Sequence, residues 1–534
     1  MRNTWLWAII AGLTLSLGWP AHGFPLLLWV ALVPLLYAEQ QIRTDKKGGK
    51  AVRVFGHAYL GFVIWNALTT WWIWNSTAGG ALVAILCNAA FMAIVFTMYH
   101  LTFKAFGAKK AYIGLVMYWL GFEHLHLDWD LSWPWLQLGN GFANYPIFIQ
   151  WYEWVGVMGG TLWIWVLNLG MWHFFVQPAL EGQRKWAFRL KPHGVFLFFG
   201  MVLPLGWSVY RYATFPLDEG KRVEVVALQP NLDPYKEKFS IPADEMLSTL
   251  IAWTEPYMSE KTRYVVWPET ALPFAFWEDR LATDERLQPI REFCAKHPQM
   301  RLFSGAYTLT RLGEDAPIPL SAEWHPEGFW MDDHNTGLEF SSEGEIQVYH
   351  KSKLVPGPEM TPFPSVMKPI QEKWFGAHGG LIGAMAGQKE RTVFSDPAGA
   401  LRMAPVICYE SIYGDFMRGY VQNGANAIAI STNDAWWGNT PGHRQLLAYT
   451  RLRAIELRRD IVRSANTGIS CLINARGDIQ QPLAYLSRGA VVGDIQLRDS
   501  ETLYIRHGDF MGGLSVLMGS MLFLFSLVFR FLKK

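Results

Sequence analysis

Charge is what this sequence has least of. Of its 534 residues only 17% are charged, against about 25% in an ordinary soluble chain. The shortfall is local: 1–215 and 508–532 are poor in acid, whereas 220–505 has the composition of a soluble domain. Cysteine is scarce as well. Cys87, Cys294, Cys408 and Cys471 show no CxxC spacing, which excludes a disulfide scaffold and gives no sign of a zinc site. The net charge of +2 points to no polyanionic partner. No glycine-rich phosphate loop or nucleic-acid module is present, so nucleic acid is not an expected partner.

Long apolar segments are abundant. They lie near 4–19, 24–38, 55–75, 81–103, 111–127, 158–177, 194–213 and 511–531. Most are close to the ~20 residues a helix needs to cross the hydrocarbon core. Residues 1–22 also resemble a signal peptide, but further spans follow and we read them as the first membrane segment.

Basic residues sit in alternate loops. Arg43, Lys46, Lys47, Lys50 and Arg53 occupy one; Lys104, Lys109 and Lys110 the next; Arg184, Lys185, Arg189 and Lys191 a third. Arg530, Lys533 and Lys534 close the chain, while 20–23, 76–80 and 128–157 have neither Lys nor Arg. This positive-inside pattern places both termini in the cytoplasm and 220–505 on the exported side, in a bacterium the periplasm. The expected organisation is a seven-helix membrane domain at 1–215, an exported domain at 220–505, and a closing helix with a cytoplasmic tail at 508–534.

The exported domain is strand-rich. β-branched and apolar runs recur at 221–228, 262–267, 301–307, 328–339, 345–354, 402–407, 425–431, 461–474 and 489–497. Helix-like stretches fall at 243–260, 282–297, 411–423 and 443–459. Strands alternating with helices predict a layered α/β domain, whose functional groups collect at strand ends.

Three strand ends carry chemistry. In VVWPETALPF, Glu269 follows a buried strand; a carboxylate in an apolar pocket has a raised pKa and suits a general base. In VYHKSKLVPGPEMTPF, Lys351 ends a strand and Glu359 lies in the loop beyond. In LRMAPVICYESIYGDFMR, Cys408 ends an apolar run just before a helical pattern, where main-chain N–H groups lower a thiol's pKa. Each has a plain alternative: a helix-terminal charge, solvated strand lysines at 351 and 353, a packed core cysteine.

Taken together, W-P-E, then H-K-x-x-L-V-P-x-x-E, then I-C-Y-E closely resemble the nitrilase superfamily. That resemblance implies an αββα sandwich with Glu269 as general base, Lys351 as electrostatic partner of the oxyanion and Cys408 as nucleophile. Glu359 matches the second glutamate, Tyr409 and Glu410 the pair after the cysteine, and Asn335 an asparagine ahead of the lysine. STNDAWWGNTPG at 431–442 also matches, with Trp436 and Trp437 in the loop after a strand. After QPN at 229–231, where the family often has a lipid-contacting tryptophan, the nearest aromatics are Tyr235 and Phe239.

With spans on both sides of the domain, the chain is similar to the membrane-embedded branch of the superfamily that matures bacterial lipoproteins. The activity this implies moves a fatty acyl group from a phospholipid, through a cysteine thioester, to the N-terminal amine of a diacylglyceryl-cysteine lipoprotein. No cofactor or metal is implied, and the enzyme is expected to be a monomer of the inner membrane, in contact with membrane lipids. A tethered amidohydrolase that uses water is the alternative. A transporter or receptor is the third reading, disfavoured because few ionisable residues lie inside the spans, notably His57 and His173.

Apolar loops at 271–277 and 364–376 suit a lipid interface, or else pack on the membrane helices. Glu123, His124, His126 and Asp128 read as interfacial anchors rather than a metal site. The arginines at 451, 453, 458, 459 and 463 follow a helical pattern and read mostly as a solvated face or helix C-terminal charges, with contact to lipid phosphate as the alternative.

Overall fold

The alternation of Val, Ile and Ala between 221 and 497 becomes the strands of two stacked sheets. The computed structural model describes residues 3–21, 23–45, 50–180, 192–233, 242–367 and 385–532. Backbone packing divides the chain into two units. One comprises Met1–Phe215, Thr440–Leu452 and Arg506–Lys534, the other Pro216–Asn439 and Arg453–Ile505.

Among the described residues of the first unit, five helices are long and apolar enough to cross a membrane: Pro25–Arg43, Ala78–Phe106, Tyr152–Ala179, Gly194–Thr214 and Phe510–Leu532. Ala51–Thr70 and Ala108–Leu125 are further helices, and Thr4–Leu17 is a shorter apolar one. Leu517, Leu524, Phe525 and Phe531 of the last helix are exposed, as are Phe196, Phe198 and Leu203. Such a display suits lipid, not water. Helices Thr4–Leu17 and Ala51–Thr70 approach closely, because a Cβ on Gly12 would fall 2.4 Å from the Gly61 carbonyl oxygen.

Two ionisable groups in these helices escaped the sequence reading. Glu39 and His100 are both buried, and His100 Nδ1 lies 2.6 Å from Glu39 Oε1, with Arg43 also on Glu39. Glu123 is no interfacial anchor: it is buried and accepts from Trp119, the Leu138 N–H and Thr161. No group of three or more metal-binding side chains occurs among the described residues. Lys46, Lys47, the 181–191 loop, Lys533 and Lys534 lie outside the described residues.

The strands of the second unit are β1 (Lys221–Gln229), β2 (Thr262–Val266), β3 (Ala275–Trp277), β4 (Arg301–Arg311), β5 (Glu323–His325), β6 (Phe329–Phe340) and β7 (Gln347–His350). They continue with β8 (Phe394–Ser395), β9 (Arg402–Ile407), β10 (Ala427–Thr432), β11 (Ile461–Ala465), β12 (Cys471–Ile473), β13 (Ile479–Gln480) and β14 (Gly489–Leu497). One sheet has the order β14-β1-β2-β4-β6-β5, with β3 beside β4 and β7 beside β6; the other runs β13-β12-β11-β10-β9-β8. Neighbours β1, β2 and β4 are parallel, as are β9, β10 and β11.

Met246, Leu247 and Leu250 of helix Ala243–Thr254 and Ile290 and Phe293 of helix Gln288–Lys296 pack on Leu228, Val265, Leu302 and Leu338. Each such buried side chain contributes about 1.5–3 kcal/mol before chain entropy is set against it. Helix Gly414–Gln422 buries Phe416, Met417 and Tyr420. The result is the expected αββα layering.

Three expectations need correction. The run 461–474 is two antiparallel strands, β11 and β12, because the chain turns between Asn466 and Ser470. Residues 271–277 form no lipid-facing loop: Ala271, Leu272 and Phe276 enter the core under the first sheet, and the Arg286 guanidinium covers Phe274 and Phe276. Arg453, Arg458, Arg459 and Arg463 are buried rather than solvated. They donate to main-chain carbonyls of Ile412, Ala475, Ala425 and Ile469, which offsets the cost of taking guanidinium groups out of water.

Candidate active site

The C-terminal ends of the parallel strands form one rim, and the sequence-selected residues gather there. Glu269 lies three residues past β2, Lys351 directly follows β7, Asn335 sits within β6, and Cys408 directly follows β9. Glu269, Asn335, Lys351, Cys408, Tyr409 and Glu410 are all buried.

Glu269 does not occupy an apolar pocket. Its Oε1 receives the Lys351 ammonium at 3.1 Å and the Asn335 amide at 2.8 Å, while Oε2 accepts the main-chain N–H of Asn433 at 3.1 Å. Donors therefore surround the carboxylate and orient both oxygens. Lys351 Nζ also contacts Glu359 Oε1 at 2.7 Å, and Glu359 Oε2 accepts the Val355 N–H at 2.8 Å, which curls the loop back onto the lysine. Burial pulls the ammonium down, but the charges of Glu269 and Glu359 outweigh it and hold Lys351 well above its ordinary value.

Cys408 takes a left-handed backbone at φ 49°, and Thr270, next to Glu269, does so at φ 50°. Non-glycine residues avoid this region, so the packed surroundings hold both in place. Burial and the negative charge of Glu269 push the thiol up, with Lys351 pulling the other way. The lowered thiol pKa expected from the strand-end position is thus reversed: desolvation and carboxylates outweigh the local N–H groups. The resting sulfur is a neutral thiol.

Glu410 joins the elements. Its Oε1 accepts from the Tyr349 hydroxyl at 2.5 Å and the Ser352 N–H at 2.6 Å, and its Oε2 from the Ile407 N–H at 2.8 Å. Tyr409 packs edge-on against Tyr413 at 5.3 Å. Trp436 and Trp437 lie on the short turn Asp434–Trp437 after β10; Trp436 is exposed and Trp437 half-buried. Tyr235, Phe239 and 368–376 of the second apolar loop lie outside the described residues, whereas Phe363 and Val366 of the loop region are exposed.

Residues 227–504, more than half of the chain, match the carbon-nitrogen hydrolase family. The chain belongs to the carbon-nitrogen hydrolase family. Residues 11–170 match the N-terminal domain of apolipoprotein N-acyltransferase. A Chlorobaculum tepidum protein named apolipoprotein N-acyltransferase is 27% identical over 515 residues, covering 94% of this chain and 92% of that one. One of the same name from Geobacter metallireducens is 26% identical over 524 residues, covering 95% and 92%. The crystal structure of an amidase from Nesterenkonia sp. shares 15% identity over 54% of this chain and 94% of that one, with a TM-score of 0.36.

In this carbon-nitrogen hydrolase, sequence reasoning passed over Tyr307, Thr432, Asn433 and Tyr349. Tyr307, opposite Asn335 in β4, is pushed up to about 12 by burial and the nearby Glu269 and Glu359 charges. Asn433 contributes a main-chain N–H, which no side-chain motif can signal. Thr432 had a signal: a polar run, STND, closing the apolar strand AIAI.

Proposed function

We propose that the protein transfers a fatty acyl group from a membrane phospholipid, through a thioester on Cys408, to the N-terminal amine of a diacylglyceryl-cysteine lipoprotein. One observation carries this reading. A chain with the carbon-nitrogen hydrolase domain also matches, at 11–170, the N-terminal domain of apolipoprotein N-acyltransferase.

The chemistry divides into two halves around the thioester. Glu269 takes the Cys408 proton as the sulfur electron pair attacks the ester carbonyl carbon. Lys351 stabilises the negative charge that develops on the carbonyl oxygen. The C–O bond breaks, and the lysophospholipid alkoxide leaves with the proton held on Glu269. The lipoprotein amine then attacks the thioester, gives a proton to Glu269, and the thiolate leaves and is reprotonated. The cage of donors around Glu269 keeps its oxygens fixed through both halves. Withdrawing a sixteen-carbon chain into water would cost on the order of 12 kcal/mol, so the donor must enter from the bilayer.

The apolar segments and the charge alternation of the loops support cytoplasmic termini, seven helices before the catalytic domain and one after it, and a periplasmic catalytic domain. The test is mass spectrometry of the purified protein after incubation with phospholipid alone. One fatty-acyl mass on Cys408, removed by hydroxylamine and absent in Cys408→Ala, is expected. Full turnover by an enzyme that never carries the adduct would overturn the thioester; free fatty acid released faster than lipopeptide is acylated would favour the hydrolase.

A further inference from the structure

Behind Cys408 runs a line of buried polar side chains that the chemistry above leaves unused. Ser431 of β10 pairs with Ile407 of β9, so Thr432 stands beside position 408 where both strands end. Thr432, Asp434 and Arg463 are each 0% exposed. The Thr432 hydroxyl donates to Asp434 Oδ1 at 2.9 Å, and Arg463 Nη2 donates to Asp434 Oδ2 at 2.8 Å. Arg463 Nη1 is anchored on the Ile469 carbonyl at 2.7 Å. The carboxylate is boxed in, since a Cβ on Gly468 would come 2.2 Å from Asp434 Oδ2. The strand register thus sets the Thr432 hydroxyl next to the Cys408 thiol, and Glu269, Lys351 and Asp434 are the charged groups around that thiol.

A buried ion pair is weak evidence for stability, because apolar residues of similar volume often serve as well. Its position here invites another role. A threonine hydroxyl has one hydrogen and two lone pairs. While Cys408 is a thiol, its S–H can turn to the Thr432 oxygen or, for proton removal, to Glu269, and the hydroxyl hydrogen goes to Asp434. A thiolate has no hydrogen and needs donors. Rotation about the Thr432 Cβ–Oγ1 bond then carries the hydrogen from Asp434 to the sulfur, with no covalent bond broken. Asp434 loses that one donor but keeps Arg463.

We propose that Thr432 is a reversible hydrogen-bond switch on Cys408, accepting from the thiol and donating to the thiolate. Asp434 and Arg463 are positioning residues that take up and return its hydrogen. The switch rests on the reading of Cys408 as nucleophile. It acts when Glu269 removes the proton before attack, and again when the thiolate leaves the second tetrahedral intermediate.

The test is the rate at which iodoacetamide alkylates Cys408 in the full-length, detergent-solubilised protein, followed by mass spectrometry of the Cys408 peptide across pH. Thr432→Val keeps the branched shape and removes the hydroxyl; Thr432→Ala does so if the valine variant fails to fold; Thr432→Ser restores the hydroxyl. At each pH on the rising limb of the profile, Val and Ala should alkylate about tenfold more slowly, equivalent to about one pKa unit, and Ser at close to the wild-type rate. Wild-type rates in Val and Ala, or a serine variant as slow as valine, would overturn the switch. An acyl adduct persisting in Cys408→Ala would instead remove the nucleophile reading beneath it, whatever the Thr432 variants do.

Discussion

Glu410 accepts the main-chain N–H of Ser352 at 2.6 Å, so a carboxylate two residues past Cys408 fixes the chain immediately after Lys351. Its other oxygen accepts the N–H of Ile407, immediately before Cys408. One buried side chain thereby sets the spacing between two strand ends that belong to different sheets.

Replacing Glu410 with Gln keeps the shape but turns an amide N–H₂ toward existing donors. The expected cost is about 1–3 kcal/mol of stability, with activity per folded molecule reduced at least tenfold. The pH dependence is specific. Burial pushes this carboxyl up to about 7 from an ordinary value of 4.5, so the folded state holds a proton that the unfolded state has released. Between those values the wild type loses stability as pH rises, and the Gln variant should lack that slope in denaturant titrations.

Lys351→Ala should slow both acylation and deacylation by about 10²–10³, the usual effect of removing one oxyanion donor. It also leaves Glu269 and Glu359 facing each other without a cation, so its melting temperature should fall. Lys351→Arg retains charge but replaces a compact ammonium with a planar fork in a fully packed site, and should remain strongly impaired. Lys353→Ala serves as control and should stay active; an essential Lys353 beside a dispensable Lys351 would displace the proposed site.

Gly305→Ala should damage the site through the backbone. The new Cβ would lie 2.4 Å from the Thr270 nitrogen and 2.7 Å from the Glu269 Cα, and neither main-chain atom can step aside cheaply. Overpacking of this kind costs about 1–3 kcal/mol, and here it displaces Glu269. Leu302→Ala, on the helix-covered face of the same strand, costs about 2–5 kcal/mol. Turnover per folded molecule should fall in the first variant and hold in the second.

Cys294 and Cys471 are both 0% exposed, and burial pushes the Cys294 thiol up to about 12. Under native conditions neither should react with iodoacetamide, and alanine at 87, 294 or 471 should leave acylation largely intact. Loss of the acyl adduct in Cys471→Ala with retention in Cys408→Ala would move the nucleophile.

Much of the architecture could be read along the chain, because it depends on local pattern. A run of about twenty apolar residues becomes a helix in any membrane, and β-branched runs such as VEVVAL and AIAIS become strands wherever one face can be covered. The charge alternation of the loops, and Glu269, Lys351 and Cys408 as candidates, were likewise visible in short stretches of text. The polar surroundings of those residues were not. Whether Glu269 meets an apolar wall or three donors depends on Asn335, Lys351 and Asn433, which reach it from other strands. The arginines at 453, 458, 459 and 463 look like a solvated face in sequence, yet each is buried against a main-chain carbonyl outside its own helix or strand. Periodicity records which side of an element faces inward. The sign and partner of each buried charge are settled only when separate strands bring their donors and acceptors to one place, because desolvation is tolerated only where such partners are already waiting.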